Sequence, residues 1–367
     1  MNTTYSRKAT SQDRGEQVSV NLIPSCIKLG LDVHADNVRV VRQVDGATPQ
    51  PAQKFTLPQF LRWVEKQRPR AAAVYSCYEA GPFGYGLHRQ LTALGIVNLV
   101  VRPQKWDELG KGVKTDRTDA LALVQRLDRY VRGNRQAFAV VRVPTPEEEA
   151  ARWVSRQREQ LRRQRQRLEA QGRSLLLSQS RRVAGRWWQT AAWEQLSPTL
   201  APALREVLEV TAKLVRAVHE QVELLTAKLE AAAPASRPRA VGALTSELLR
   251  REVCDWSRFH NRRQVASYTG MCPSVYASGR RMVMGSITKH GNARLRWALI
   301  EMAWRLVRYQ PHYPPVAKWR RLLQDRRAPR GQKKRLIVAI ARHLAIDLWR
   351  LATGRCDAAQ LQLLPAH

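Results

Sequence analysis

Apolar and polar residues alternate along the first part of this chain with the two-residue period of a strand. Ile27, Leu29, Leu31 and Val33 alternate with Lys28, Gly30 and Asp32, which predicts a strand with one apolar face. A second strand follows at Asn37–Arg42, and Ala71–Tyr78 and Ile96–Val101 read as buried strands. Helical segments are predicted at Pro58–Gln67, Tyr85–Leu94 and Asp116–Val131. A hairpin first, then strands separated by helices, predicts an α/β domain over 26–142 with a mixed sheet covered by helices.

The period changes after that domain. Val154, Leu161, Leu168 and Leu175 recur every seven residues, with Arg152, Arg156, Arg158, Arg162, Arg163, Arg165, Arg167 and Arg173 between them. Leu204, Leu208, Thr211, Val215, Val218, Val222, Leu225 and Leu229 then alternate spacings of four and three. Two long coiled-coil helices are expected over 145–232, paired with each other or with a second protomer. Pro234 and Pro238 mark the next boundary. A mainly α-helical domain is expected over 233–353, with an irregular glycine-rich stretch at Gly270–Gly291 and a final helix near Lys333–Leu351. Residues 1–25 read as a polar leader and 354–367 as a loosely held tail.

Composition narrows the partner. The formal net charge is +33, with 63 Lys and Arg against 30 Asp and Glu. A polyanion is implied, and nucleic acid comes first because phosphate neutralisation releases counterions. Arginine dominates the surplus, and its planar fork suits phosphate and bases. No apolar run is long enough to span a bilayer, and the leader lacks the apolar core of a signal peptide. Five scattered cysteines without CxxC spacing indicate neither a disulfide framework nor a zinc site. His34, His88, His219, His260, His290, His312 and His343 also lack metal-ligand spacing. A cytoplasmic, nucleoid-associated protein is expected. Of the eleven Trp, Trp187 and Trp188 among them, most are expected in the core or an interface.

Four carboxylates carry the candidate chemistry. Asp32 ends the first strand and should face away from Leu31 and Val33. Glu79 ends the strand at Ala71–Tyr78. Asp116 and Asp119 are spaced to share one face of a helix that they open. Such hard oxygen donors suit Mg²⁺, which completes its shell with waters and substrate phosphate. Taken one at a time, each also fits a structural role: Asp116 as a helix cap, Glu79 as a turn residue. Their joint order is what suggests a nuclease-like site.

The segments Gly30-Leu31-Asp32-Val33-His34, Tyr78-Glu79-Ala80-Gly81 and Lys114-Thr115-Asp116-Arg117-Thr118-Asp119-Ala120 resemble the DEDD-type transposases of insertion-sequence family one-ten, which are related to the Piv DNA invertases. Pro273-Ser274-Val275-Tyr276-Ala277-Ser278-Gly279 is similar to the serine motif of that family. Gly285–Asn292 followed by Leu295-Arg296 is similar to the block after it. The resemblance covers roughly 26–350. It implies a RuvC-like, ribonuclease-H-type fold for the first domain, with Asp32, Glu79, Asp116 and Asp119 holding Mg²⁺. It implies that Ser278, in a C-terminal transposase domain, is the nucleophile of a phosphoserine–DNA intermediate. It also implies double-stranded DNA as substrate, a non-coding bridge or seeker RNA as guide, and a dimer or tetramer with composite sites. Arg280, Arg281 and Lys289 beside the serine, and Arg156, Arg162 and Arg163 on the first long helix, are the expected nucleic-acid contacts. Without the family pattern, Ser274 and Ser286 are equal candidates to Ser278. One departure stands out: where the family has Pro-Gly-Ile-Gly, this chain reads Arg239-Ala240-Val241-Gly242-Ala243-Leu244-Thr245. The alternatives are a RuvC-like junction nuclease that hydrolyses with water, and a non-catalytic, decayed transposase that only binds nucleic acid.

Overall fold

A computed structural model describes residues 24–103, 116–279 and 281–365, with Asp116 and Arg117 given by backbone alone. Leader residues 1–23 and Lys114, Thr115 and Arg280 therefore lie outside the described residues. The chain forms two compact units, 1–143 and 144–367.

The first unit holds a five-stranded mixed sheet in the order β3-β2-β1-β4-β5. Its strands are β1 (Cys26–Val33), β2 (Val38–Val44), β3 (Gln53–Phe55), β4 (Ala73–Glu79) and β5 (Val97–Val101). β1 pairs antiparallel with β2 and parallel with β4, and β4 pairs parallel with β5. The predicted strands are all present. The short edge strand β3 was not foreseen, because Gln53 and Lys54 are exposed and give no apolar alternation. Helices α1 (Leu57–Glu65) and α2 (Gly86–Ala93) cover one face, where Ile27, Leu29, Leu31, Val40, Phe60, Val64, Leu91 and Val100 form the core. Helix α3 (Asp116–Val131) covers the other face, with Leu123 and Leu127 packed against Cys77 and Val101. Covering both faces explains why β1 and β4 are nearly continuously buried.

In the second unit, α4 (Pro146–Ser178, 33 residues) and α6 (Pro202–Ala231, 30 residues) pack against each other. Thr145 and Glu148 form a capping box that starts α4. The spacing read on α6 holds: Leu208, Val215, Val222 and Leu229 are buried, and Leu204, Thr211, Val218 and Leu225 are half-buried. The seven-residue seam read on α4 does not hold at its end. Leu175 is 37% exposed, and the buried positions are Ser155, Glu169, Gly172 and Leu176. The reason is a tryptophan cluster on the connecting segment, which includes α5 (Thr190–Leu196). Trp187, Trp188 and Trp193 wedge between the helices with Leu176, Leu208 and Val215. Gly172 makes this possible, since a Cβ there would lie 2.0 Å from the Trp187 ring. The indole N–H groups of Trp187 and Trp188 both donate to Glu169.

The remainder of this unit is mainly helical. It comprises α7 (Ala243–Val253), α8 (Arg262–Thr269), α9 (Ala293–Tyr309), α10 (Pro314–Gln324) and α11 (Arg330–Ala352) around one core. The stretch expected to be irregular contains a β-hairpin instead, β6 (Pro273–Ser278) and β7 (Arg281–Ile287). The tail is also held more firmly than expected. Leu361 and Leu363 are buried in the core, Pro365 bridges to Pro238, and Arg239 N–H donates to the Leu364 carbonyl at 2.8 Å. Among the described residues, no helix is long and apolar enough to cross a membrane.

Candidate active site

The sheet register brings Asp32 and Glu79 together. The last registered pair of β1 and β4 is Leu31↔Tyr78, so Asp32 and Glu79 leave neighbouring parallel strands side by side. Alternation fixes the face on which both project. Asp32 lies two residues from Gly30, which faces α3, and Glu79 lies two residues from Cys77, whose thiol donates to the Leu123 carbonyl of α3. Both carboxylates therefore project on the α3 side, opposite Leu31 and Tyr78, as alternation predicted for Asp32. Burial pushes the Cys77 thiol pKa up, and the charge of Glu79 pushes it further.

Gly30 sets how close the helix comes. A Cβ at Gly30 would lie 2.3 Å from the Ala120 carbonyl oxygen and 2.5 Å from the Val124 nitrogen, both backbone atoms that cannot move aside. With glycine here, the first turns of α3 rest directly on β1. Asp119, half-buried in the first turn of α3, is carried to the same part of the sheet, and Asp116 is the first residue of that helix. The His34 ring Nε2 lies 3.0 Å from Asp32 Oδ2. Deeper on this face, buried Lys28 pairs with Asp128 of α3 at 2.6 Å, which ties the helix to β1 at a second point.

Carboxylate oxygens on two adjacent strand ends and one helix start are hard donors, the type that suits Mg²⁺. Among the described residues, no three His, Cys, Asp or Glu side chains gather closely enough to hold a metal by themselves.

Ser278 is the last residue of β6, registered opposite Arg281 at the tip of the hairpin. Gly279 follows with φ +56°, a left-handed turn position suited to glycine, with open space where a Cβ would be. Ser278 and Arg281 are both exposed. Ser274 is engaged at the root, donating to the Ser286 carbonyl at 3.0 Å. Lys289 is exposed just beyond β7, also at positive φ, and its N–H donates to the Gly270 carbonyl. Gly291 packs against residues 267–270, where a Cβ would lie 2.5 Å from the Gly270 nitrogen. Asn292 then caps α9, accepting from Arg294 and Leu295 N–H, while its amide donates to buried Glu252 at 2.8 Å. Sequence reading passed over this support for the hairpin; the Asn292 cap position was its signal.

The expected nucleic-acid contacts on α4 differ in setting. Arg156 pairs with Glu252, whose side chain is 1% exposed. Arg163 pairs with Glu159, which also pairs with Arg294. Arg162 stands over the exposed Trp297 ring, 6.0 Å from its centroid.

The model of the transposase IS116/IS110/IS902 family matches residues 237–315, the segment that contains the hairpin. A candidate transposase of Sinorhizobium fredii, y4rJ, is 33% identical over 80% of this chain and 81% of its own length. The transposase for insertion sequence element IS1111A of Coxiella burnetii is 28% identical over 74% of this chain and 76% of its own. That for IS1533 of Leptospira borgpetersenii is 25% identical over 88% of this chain and 94% of its own.

Proposed function

The chain belongs to the IS116/IS110/IS902 transposase family, and we propose that it moves its element by Ser278-dependent strand exchange on double-stranded DNA. The observation that carries this reading is the placement of Ser278 at the exposed tip of a hairpin within the family-matching segment, with Arg281 registered opposite it. A serine at such a tip can approach a phosphodiester that a buried serine could not.

Ser278 Oγ attacks the scissile phosphorus, its proton passes to solvent, and one deoxyribose oxygen leaves as a hydroxyl. The resulting phosphoserine diester conserves the energy of the broken bond. A hydroxyl of the second DNA strand then attacks that phosphorus and restores the serine. Arg281 can neutralise the phosphate through a charge-assisted contact. Asp32, Glu79, Asp116 and Asp119 would hold Mg²⁺, which when bound supplies positive charge to the phosphate and acidity to a coordinated oxygen. A guide RNA and a composite site in a dimer or tetramer are part of the same proposal; the family resemblance supports both, and the charge of +33 supports the nucleic acid.

The test is trapping on a denaturing gel. Wild type is expected to give a protein–DNA adduct on suicide substrates, and Ser278→Ala none, with DNA binding kept within about twofold. Recombination retained by Ser278→Ala overturns the serine step. Metal-dependent cleavage that never yields an adduct favours hydrolysis by water. Sequencing RNA that copurifies with the chain tests guidance: one enriched species supports it, and random RNA removes it.

A further inference from the structure

At the root of the serine hairpin, away from Ser278, the second unit has a cleft of about 760 Å³. It lies between the start of α8, the root pair Pro273 and Ile287, helix α10 and the face of α11. Its cationic lining is Arg262, Arg263, Lys334, Arg335 and Arg342, and among the described residues no carboxylate lines it. Its apolar floor includes Val338 and Ile346, with the half-buried indole of Trp319 at one side. The Trp319 ring lies 5.9 Å from the His343 ring, and Lys318 Nζ lies 5.2 Å from the Trp319 centroid.

Two features of this lining select the ligand. Five cations without a counter-charge call for an anion with several charges, as successive phosphates provide. An indole beside an apolar floor in a concave site calls for a flat, exposed ring. The bases of a duplex are stacked on one another and offer no free face, whereas an unpaired base does. The volume is that of a site for one or two small ring systems. An acidic peptide would satisfy the cations but supply no flat ring to the indole.

We propose that this cleft binds an unpaired nucleotide of a DNA or RNA strand, with the base against Trp319 and the flanking phosphates on Lys334, Arg335 and Arg342. The site is separate from the serine chemistry and stands if strand exchange by Ser278 fails, because its readout is binding.

The test uses the full chain with fluorescent 12-nucleotide oligo-dT, oligo-U and a duplex of equal length at fixed salt. Trp319→Ala is expected to weaken both single strands about tenfold, the usual scale of one base–aromatic stack, and the duplex less than twofold. Trp319→Phe should restore most of the loss. Lys334→Gln with Arg342→Gln removes two exposed or half-exposed cations without touching the core, and should flatten the single-strand salt dependence by about 1.4 in log–log slope. Iodouracil-substituted strands should crosslink to the peptide that contains Trp319. A loss confined to one of the two single strands also supports the site and names the strand it takes. Equal losses on duplex and single strand, or less than a twofold loss on both single strands, would overturn the proposal. So would crosslinking that maps elsewhere, or competition by poly-glutamate as strong as by oligo-dT.

Discussion

The two parts of the candidate chemistry sit on supports of opposite kind. Asp32 and Glu79 end the inner strands of a sheet covered on both faces, with Leu29 and Leu31 fully buried beside them. Ser278 ends a two-stranded hairpin whose Val275, Tyr276, Met282, Val283 and Met284 are 44–69% exposed. An isolated pair of strands is marginal in water. This one is fixed at its root, by the Ser274–Ser286 bond, the Thr288 N–H to Cys272 carbonyl bond and the Gly270–Gly291 approach. The carboxylates are pre-positioned by packing, whereas the serine is carried on a projecting arm. A metal site gains from fixed donors. On the proposed reading, a serine that must reach a DNA strand gains from projection.

The largest expected effect tests whether both supports serve one reaction. Asp32→Asn and Ser278→Ala should each lower strand exchange at least about 10³-fold, and the double variant should lose little more than either alone, as for groups that act as a unit. Single and double variants measured on one recombination substrate decide this. Additive losses would separate the two sites.

Hydrogen exchange addresses the comparison directly. Amides of 275–279 and 281–284 should exchange at least about 100-fold faster than those of Leu29–Leu31, because local opening of the hairpin requires little buried surface to be exposed. Equal protection would mean that the arm is held by something beyond its root.

A smaller effect concerns the rigid side alone. Gly30→Ala places a methyl group against backbone atoms of α3 and should cost about 1–3 kcal/mol by urea denaturation, with cleavage lowered as the helix start shifts. Gly279→Ala should cost about 1 kcal/mol or less, because its space is open and only its positive φ is disfavoured.

The smallest effect is a pH dependence beneath the hairpin's domain. Burial raises the pKa of Glu247, but hydrogen bonds and charge from Arg250 and Arg251 outweigh it and hold the carboxyl below its ordinary value. A carboxyl lowered on folding stabilises the fold above its unfolded pKa of about 4.3 and loses that contribution as pH falls through its lowered value. Thermal melts of wild type and Glu247→Gln should therefore differ near neutrality and converge in acid.

Much of the first unit was legible because its signals are local. Alternation at Ile27–Val33 gave a strand, its apolar face and the side on which Asp32 projects. The helix at Asp116–Val131 was placed to the residue. The heptads on α6 hold for a similar reason, since one face of one helix is buried throughout. On α4 the same arithmetic failed at Leu175, because Trp187 enters at Gly172 and turns the buried face toward Leu176. A tryptophan arriving from a connecting segment leaves no periodic trace in the helix that it enters.

What the sequence determined by itself is the chemistry available: two strand-end carboxylates, an acidic helix start, a serine followed by glycine, and a surplus of arginine. What only the tertiary structure decided is proximity and exposure. The parallel pairing of β1 with β4 is a long-range register, and it makes Asp32 and Glu79 neighbours although 47 positions separate them. The hairpin around Ser278 was read as irregular because its strands are short and exposed, without a buried face to impose alternation. The tail was read as loose because it is short and follows the last helix, yet Leu361 and Leu363 find a cavity in the core that local sequence cannot announce. Periodicity reports which side of an element is buried. It does not report what buries it, and that is where strand β1 and the Ser278 hairpin came to differ.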